Sequence, residues 1–167
     1  MRSVERSTWL RPPAILLAHS ADPWTSMAGL FLLWFFGDTT WRHLALVFIA
    51  GTLITAGFVF TIKYTVRRRR PPGEWGAIYR ITNPHSFPSG HAARCMMLAV
   101  LGWALAPAWL GWLFFIWAIL VAWARVGMGV HYLSDIVAGA SLGLFTGLVT
   151  LALYPSLKPL FISLQLA

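Results

Sequence analysis

The stretch AARCMMLAVLGWALAPAWLGWLFFIWAILVAWA, residues 92–124, decides the fold. At 1.5 Å per residue a continuous helix of this length would run about 50 Å, well beyond the roughly 30 Å hydrocarbon core of a bilayer. Pro107 interrupts it in LAPAWLG, so the stretch reads as two membrane helices joined by a tight turn. A hairpin of this kind returns the chain to the side it left. The loop before His91 and the loop after Ala124 must then face each other on one side of the membrane.

Working outward, the same pattern repeats. Residues 22–38, DPWTSMAGLFLLWFFGD, form a short apolar run bounded by aspartates, and a longer one extends from about Trp41 to Val66 with Lys63 near its end. The last run, from about Leu133 to Tyr154, is expected to stop at Pro155, and its Gly139, Gly143 and Gly147 fall four apart on one face, a spacing suited to close helix packing. With 58% hydrophobic and only 11% charged residues in 167, the chain carries more apolar surface than a soluble domain of this size could bury. The expectation is a single integral membrane domain over residues 1–167: an all-α, multi-span transmembrane bundle of about five to six helices, with its motif-bearing core at 63–135.

The start, MRSVERSTWLRPPAILLAHSA, loosely imitates a signal peptide, but Glu5, Arg11, Pro12 and Pro13 break the required pattern, and a cleaved leader is not expected. Cys95 is the only cysteine, which excludes an internal disulfide and a multi-cysteine zinc site. The net charge of +8 in a membrane chain points to anionic head groups or phosphates as partners, and not to nucleic acid.

Between Arg94 and Lys158 the charged residues are Arg125 and Asp135, joined by one histidine, His131, all within ARVGMGVHYLSD. Ionisable groups beside a bilayer are costly unless paired, so this cluster is a candidate site. His131 and Asp135 are four apart and share a helix face, where the carboxylate can hold one imidazole nitrogen and present the other as a base or nucleophile. Gly127 and Gly129 let the backbone turn between Arg125 and His131.

Two further polar segments share that side. In KYTVRRRRPP a continued helix would aim Lys63, Arg67 and Arg70 in one direction before Pro71 and Pro72 end it, with Arg68 and Arg69 turned toward lipid phosphates. In FPSGHAAR, Ser89 can cap a helix, Gly90 permits close backbone approach, the helix start suits an anion, and His91 supplies a titratable proton. Arg94, one turn on, has no assigned part. Residues 73–86 form the expected lip, with Trp75 and Tyr79 as interfacial anchors. A zinc set of His85, His91 and His131 has no supporting spacing.

Lys63 to Pro71 fits K-x6-R-P, Pro88 to His91 is P-S-G-H, and Arg125, His131 and Asp135 fit the R-x5-H-x3-D of a third motif. Together they resemble the type 2 phosphatidic acid phosphatase superfamily of membrane lipid phosphatases, related to vanadium haloperoxidases. Ala124 departs from it, standing where the third motif usually has Ser. The resemblance implies a metal-independent, cofactor-free hydrolase acting on a lipid phosphate monoester or diphosphate: phosphatidylglycerophosphate, phosphatidate, or a polyprenyl phosphate or diphosphate. It implies that His131 is the nucleophile and forms a phosphohistidine, that Asp135 orients it, and that His91 protonates the leaving oxygen. Lys63, Arg70, Arg125, Ser89 and Gly90 would hold the phosphate oxygens. A non-catalytic lipid-phosphate binder or transporter is the alternative, disfavoured because binding alone needs no nucleophile.

The resemblance often implies a site facing outward, whereas the charges favour the opposite. Arg2, Arg6, Arg11, Arg67, Arg68, Arg69 and Arg80 share the catalytic side, against Arg42 and Lys158 on the other, and the positive-inside rule then places the site in the cytoplasm.

Overall fold

Asp38 and Ser89 show how short polar segments start the long helices of this chain. Asp38 accepts from the amides of Thr40 and Trp41 at 2.9 and 3.1 Å, and the Ser89 hydroxyl accepts from Ala92 N at 3.4 Å. The structure is a computed structural model that describes residues 9–73, 81 and 83–166. Its six helices, among the described residues, are α1 Arg11–Ser20, α2 Pro23–Phe36, α3 Thr39–Val66, α4 Gly90–Leu105, α5 Ala108–Gly127 and α6 Leu133–Leu166. Three of them, α3, α5 and α6, are long and apolar enough to cross a bilayer, and α2 and α4 are shorter apolar helices.

The hairpin expected from Pro107 is present: α4 stops at Leu105, Ala106 and Pro107 make the turn, and α5 starts at Ala108. The proline ends the first helix because its ring forbids the preceding residue an α conformation and it donates no N–H.

One expectation needs correction. Pro155 does not end the last helix, which continues through it and Pro159 to Leu166. Packing carries it onward, because Phe161 is buried in the main core cluster with Leu30, Val47, Phe48 and Leu101, and Tyr154 and Leu157 lie against the same cluster. The run 22–38 gives a 14-residue helix, about 21 Å long, short for a crossing as its sequence suggests. It is preceded by α1, whose first turn accommodates Pro12 and Pro13 where an amide proton is not needed. Ala14 and Ala18 of α1 pack on Ala124, Met128 and Val130 at the end of α5, while Ala21 packs deeper, on Ala118, Val121 and Cys95. Thus α1 descends along α5 from the site end, and the chain breaks at Ala21–Asp22 before α2 begins at Pro23. Ala124, fully buried, belongs to this contact, in one apolar cluster with the two α1 alanines.

The α4–α6 contact is the most extensive between helices, and the predicted glycine stripe makes it. A Cβ at Gly139 would strike the Ser89 carbonyl, one at Gly143 the Ala93 backbone, and one at Gly147 would stand 2.9 Å from Val100 Cβ. The backbones therefore touch, and Ser89 N donates to Asp135 O at 3.0 Å. Further down, Thr55 of α3 and Thr146 of α6 share a buried hydroxyl hydrogen bond at 2.8 Å.

Gly143→Ala should lower stability by about 1–3 kcal/mol through overpacking. Gly57→Ala, at a site open to its surroundings, should leave it unchanged or slightly raised. Thermal unfolding of the two variants in the same detergent checks this difference.

Candidate active site

At the end of α3, Lys63 is 3% exposed although it carries a charge. Its ammonium donates to the His85 carbonyl at 2.8 Å and to Asn83 Oδ1 at 3.3 Å, which substitutes for water. The helix ends at Val66, before the prolines expected to stop it, and Arg67 turns left-handed with φ 52°. That turn rotates the following residues off the helical register. Arg67 does not join Lys63 and Arg70; its side chain is exposed and folds back on the Tyr64 carbonyl. Arg70 enters the site from extended backbone, donating from Nε to Asn83 O at 2.7 Å and from Nη1 to Val130 O at 3.0 Å.

Arg68 also departs from expectation. It does not reach outward to lipid but donates to Asp135 Oδ1 at 2.9 Å and to Ser134 Oγ at 2.7 Å, with its guanidinium 4.2 Å from the centre of the Tyr132 ring. Arg69 pairs by backbone with His85 in an isolated antiparallel bridge, and Ser86 N donates to Arg68 O, so the strand of arginines is tied to the segment leading into α4.

Arg125 lies in the last turn of α5 and is 1% exposed. Gly129, at φ 66°, makes the turn that a side chain would strain, and the Val130 amide closes on the Arg125 carbonyl at 3.2 Å. His131 follows at 3% exposure. Its Nε2 is 3.3 Å from Arg70 Nη1, and its Nδ1 is 3.5 Å from Asp135 Oδ2, close without the alignment of a hydrogen bond. A guanidinium can only donate, so Nε2 carries the lone pair and the ring proton sits on Nδ1, toward the carboxylate. Asp135, 0% exposed, is also held by the Tyr132 amide at 2.9 Å. Burial in the first place, then Arg125, Arg70, Lys63 and His91, keep His131 protonation well below the usual imidazole range.

These groups line one cavity of about 620 Å³. Its polar end carries Lys63, Arg70, Asn83, Gly90, His91, Arg94, Arg125 and His131, and its flank carries Trp24, Met27, Leu53 and Phe60 from α2 and α3. Most of the expected residues therefore converge. Ser89 and Asp135 do not line the cavity. Ser89, fully buried, is spent on capping α4, and Asp135 stands behind His131. Arg94 is 8% exposed and donates to the Ala21 carbonyl at 2.6 Å. His85 does not join a metal set; its ring meets Tyr64 edge-on, and among the described residues no group of three metal-ligating side chains comes together. Trp75, Tyr79 and Arg80 lie outside the described residues.

Sequence reasoning missed Asn83, Arg68 and Asp22. Asn83 holds both Lys63 and Arg70, and nothing in its surroundings signals this. Asp22, before Pro23, reads as a helix boundary, yet its Oδ1 lies 2.8 Å from His91 Nε2.

A family profile described as the PAP2 superfamily matches residues 43–158, which include every motif residue above. This chain belongs to the PAP2 superfamily. Among its relatives, an undecaprenyl-diphosphatase of Sulfolobus acidocaldarius is 33% identical over 102 residues, covering 56% of this chain and 50% of that enzyme. The chain thus matches half the length of this relative. A putative undecaprenyl-diphosphatase of Escherichia coli is 24% identical over 143 residues, 84% of this chain and 71% of that protein. The fold matches the crystal structure of a transmembrane PAP2-type phosphatidylglycerolphosphate phosphatase from Bacillus subtilis with a TM-score of 0.72 at 21% identity, covering 90% of this chain and 79% of that one. The PAP2 chain described here is accordingly a multi-pass integral membrane protein, in keeping with its long apolar helices.

In histidine-labelled protein, the His131 ring should remain neutral at pH values where an ordinary histidine, near 6.5, is protonated. Arg70→Gln removes a repelling cation, so its titration should move to higher pH. Ring chemical shifts followed against pH provide the measurement.

Proposed function

We propose that this PAP2 protein is a metal-independent lipid phosphatase that hydrolyses a lipid phosphate monoester or diphosphate through a phosphohistidine. The observation that carries the reading is a single cavity in which a buried cationic end, holding His131, continues into an apolar flank of Trp24, Met27 and Phe60. A phosphate fits the first part and the start of a lipid tail the second.

His131 Nε2, whose lone pair meets Arg70 Nη1 at 3.3 Å in the empty site, attacks phosphorus when a phosphate oxygen takes over that N–H, and the resulting positive charge is stabilised by Asp135 behind Nδ1. Lys63, Arg70 and Arg125 are held in place before substrate arrives, so they neutralise charge on the phosphate oxygens without reorganising. The backbone amide of Gly90, in the first turn of α4, assists at the helix start. Ser89 acts through the cap that shapes this turn. His91 gives a proton to the leaving lipid oxygen and then takes one from the water that cleaves the phosphohistidine. Arg68 fixes Asp135 from outside the cavity.

The names of the two sequence relatives favour a polyprenyl diphosphate as the first substrate to test, followed by phosphatidylglycerophosphate and phosphatidate. Purified protein should release phosphate from at least one member of this panel. His131→Ala should lower the rate by about 10³-fold or more, and brief exposure to radiolabelled substrate should leave an acid-labile phosphoryl group on the unmodified chain alone. Normal release by His131→Ala would remove the nucleophile, and no release on any lipid would turn the site into a binding one.

The site end also carries Arg11, Arg67 and Arg69, which supports a cytoplasmic catalytic face. Cys95 is buried and gives no background, so Arg69→Cys should resist an impermeant thiol reagent in intact cells and react after permeabilisation. Labelling in intact cells would place the site outside.

A further inference from the structure

Asp22 precedes α2 at the position where an aspartate ordinarily caps the helix, yet its side chain makes no capping bond. Its two oxygens go instead to two histidines: Oδ1 to His91 Nε2 and Oδ2 to His19 Nδ1, both at 2.8 Å. The turn that carries it is tied down on three sides. Asp22 N donates to His19 O at 3.0 Å, Arg94 of α4 donates to the Ala21 carbonyl, and Trp117 of α5 donates from Nε1 to Ser20 Oγ at 2.9 Å. The break between α1 and α2 therefore delivers a fixed carboxylate to the histidine across the cavity from His131.

We propose that Asp22 is a positioning residue for His91, holding the proton on Nε2 and leaving Nδ1 to serve the leaving oxygen. The proposal rests on the reading of His91 as the general acid. It makes the site a pair of opposed carboxylate–histidine units, Asp135 with His131 and Asp22 with His91. In the first step the His131–phosphorus bond forms and the phosphorus–oxygen bond to the lipid breaks, its electron pair staying on the lipid oxygen. That oxygen takes the Nδ1 proton from His91 in its imidazolium form, the form Asp22 stabilises, and the ring becomes neutral with its Nε2–H still donated to Asp22. In the second step Nδ1 takes a proton from water as the water oxygen displaces His131 from phosphorus. His91 regains its charge, and Asp22 faces it throughout.

Among the described residues, the charged and titratable groups that face His91 are Asp22, with His19 beyond it, Arg94 on α4, Arg125 on α5 and His131 from the α5–α6 loop. Lys63 of α3 lines the same cavity, and Asp135 of α6 stands behind His131. Arg94 and Arg125 oppose a positive charge on His91, and Asp22 is the group beside it that favours the protonated ring.

The test compares kcat/KM against pH for the whole protein, Asp22→Asn and His91→Ala, on a lipid phosphate and on an aryl phosphate whose leaving group needs no proton. Asp22→Asn should lose about 10²-fold on the lipid, much less on the aryl ester, and move the basic limb of the lipid profile to lower pH. Equal loss on both substrates with an unmoved limb would make Asp22 merely structural and overturn the proposal. Loss by His91→Ala that is equal on both substrates would instead sink the general acid itself. Histidine-labelled, unmodified protein supplies a readout independent of activity: a low-field Nε2–H resonance, assigned by its disappearance in His91→Gln. Its presence, and its loss in an Asp22→Asn protein that still melts at the wild-type temperature, support the proposal. Its absence from the unmodified protein, or its persistence in Asp22→Asn, defeats it.

Discussion

A carboxylate with no exposed surface at the start of a membrane helix has to be satisfied from several directions, and Asp135 sets this requirement for the whole site. Arg68 comes from beyond α3, the Tyr132 amide from its own turn, and His131 from the preceding loop. The carbonyl of the same residue accepts from Ser89, which starts α4. Three separate stretches of chain, around residues 68, 89 and 131–135, are therefore fixed relative to one another by one residue. The glycines of α6 make this possible, since only a backbone-to-backbone approach lets Ser89 and Asp135 meet while Gly143 lies on Ala93.

The same economy governs the cations. Lys63, Arg70 and Arg125 lie close together in one cavity and repel one another, so each needs fixed acceptors if the empty site is to stay formed. Carbonyl oxygens supply much of this: His85 for Lys63, and Asn83 and Val130 for Arg70. Neutral dipoles hold the cations without cancelling their charge, which leaves that charge available to a phosphate. A full complement of acidic partners would stabilise the empty site better and bind substrate worse.

The hairpin, the glycine stripe and the convergence of three polar segments were legible because each depends on local rules: the length of a helix, the conformation before a proline, the spacing of small residues. The same holds for His131 with Asp135, whose separation of four is a helix property. Helical spacing continued past Val66 misplaces Arg67 and Arg68, because a single left-handed residue turns Arg67 back on Tyr64 and brings Arg68 to Asp135. Pro155 reads as a helix end because the sequence does not display the core contact at Phe161 that keeps the helix going.

By itself the amino-acid sequence determined that this chain is a membrane helix bundle, which side of it gathers the polar groups, and which histidines and cations the PAP2 motifs bring there. Those properties follow from periodicity, apolar length and motif spacing, all of which are local in the chain. The tertiary structure alone decided which arginine holds Asp135, that Asn83 organises Lys63 and Arg70, that Ser89 serves as a cap, and that Asp22 meets His91 across 69 residues of separation. Such pairings depend on the depth at which the α1–α2 break sits against α4 and α5. That depth is set by alanines packing on alanines and valines, contacts whose partners no local spacing rule can name.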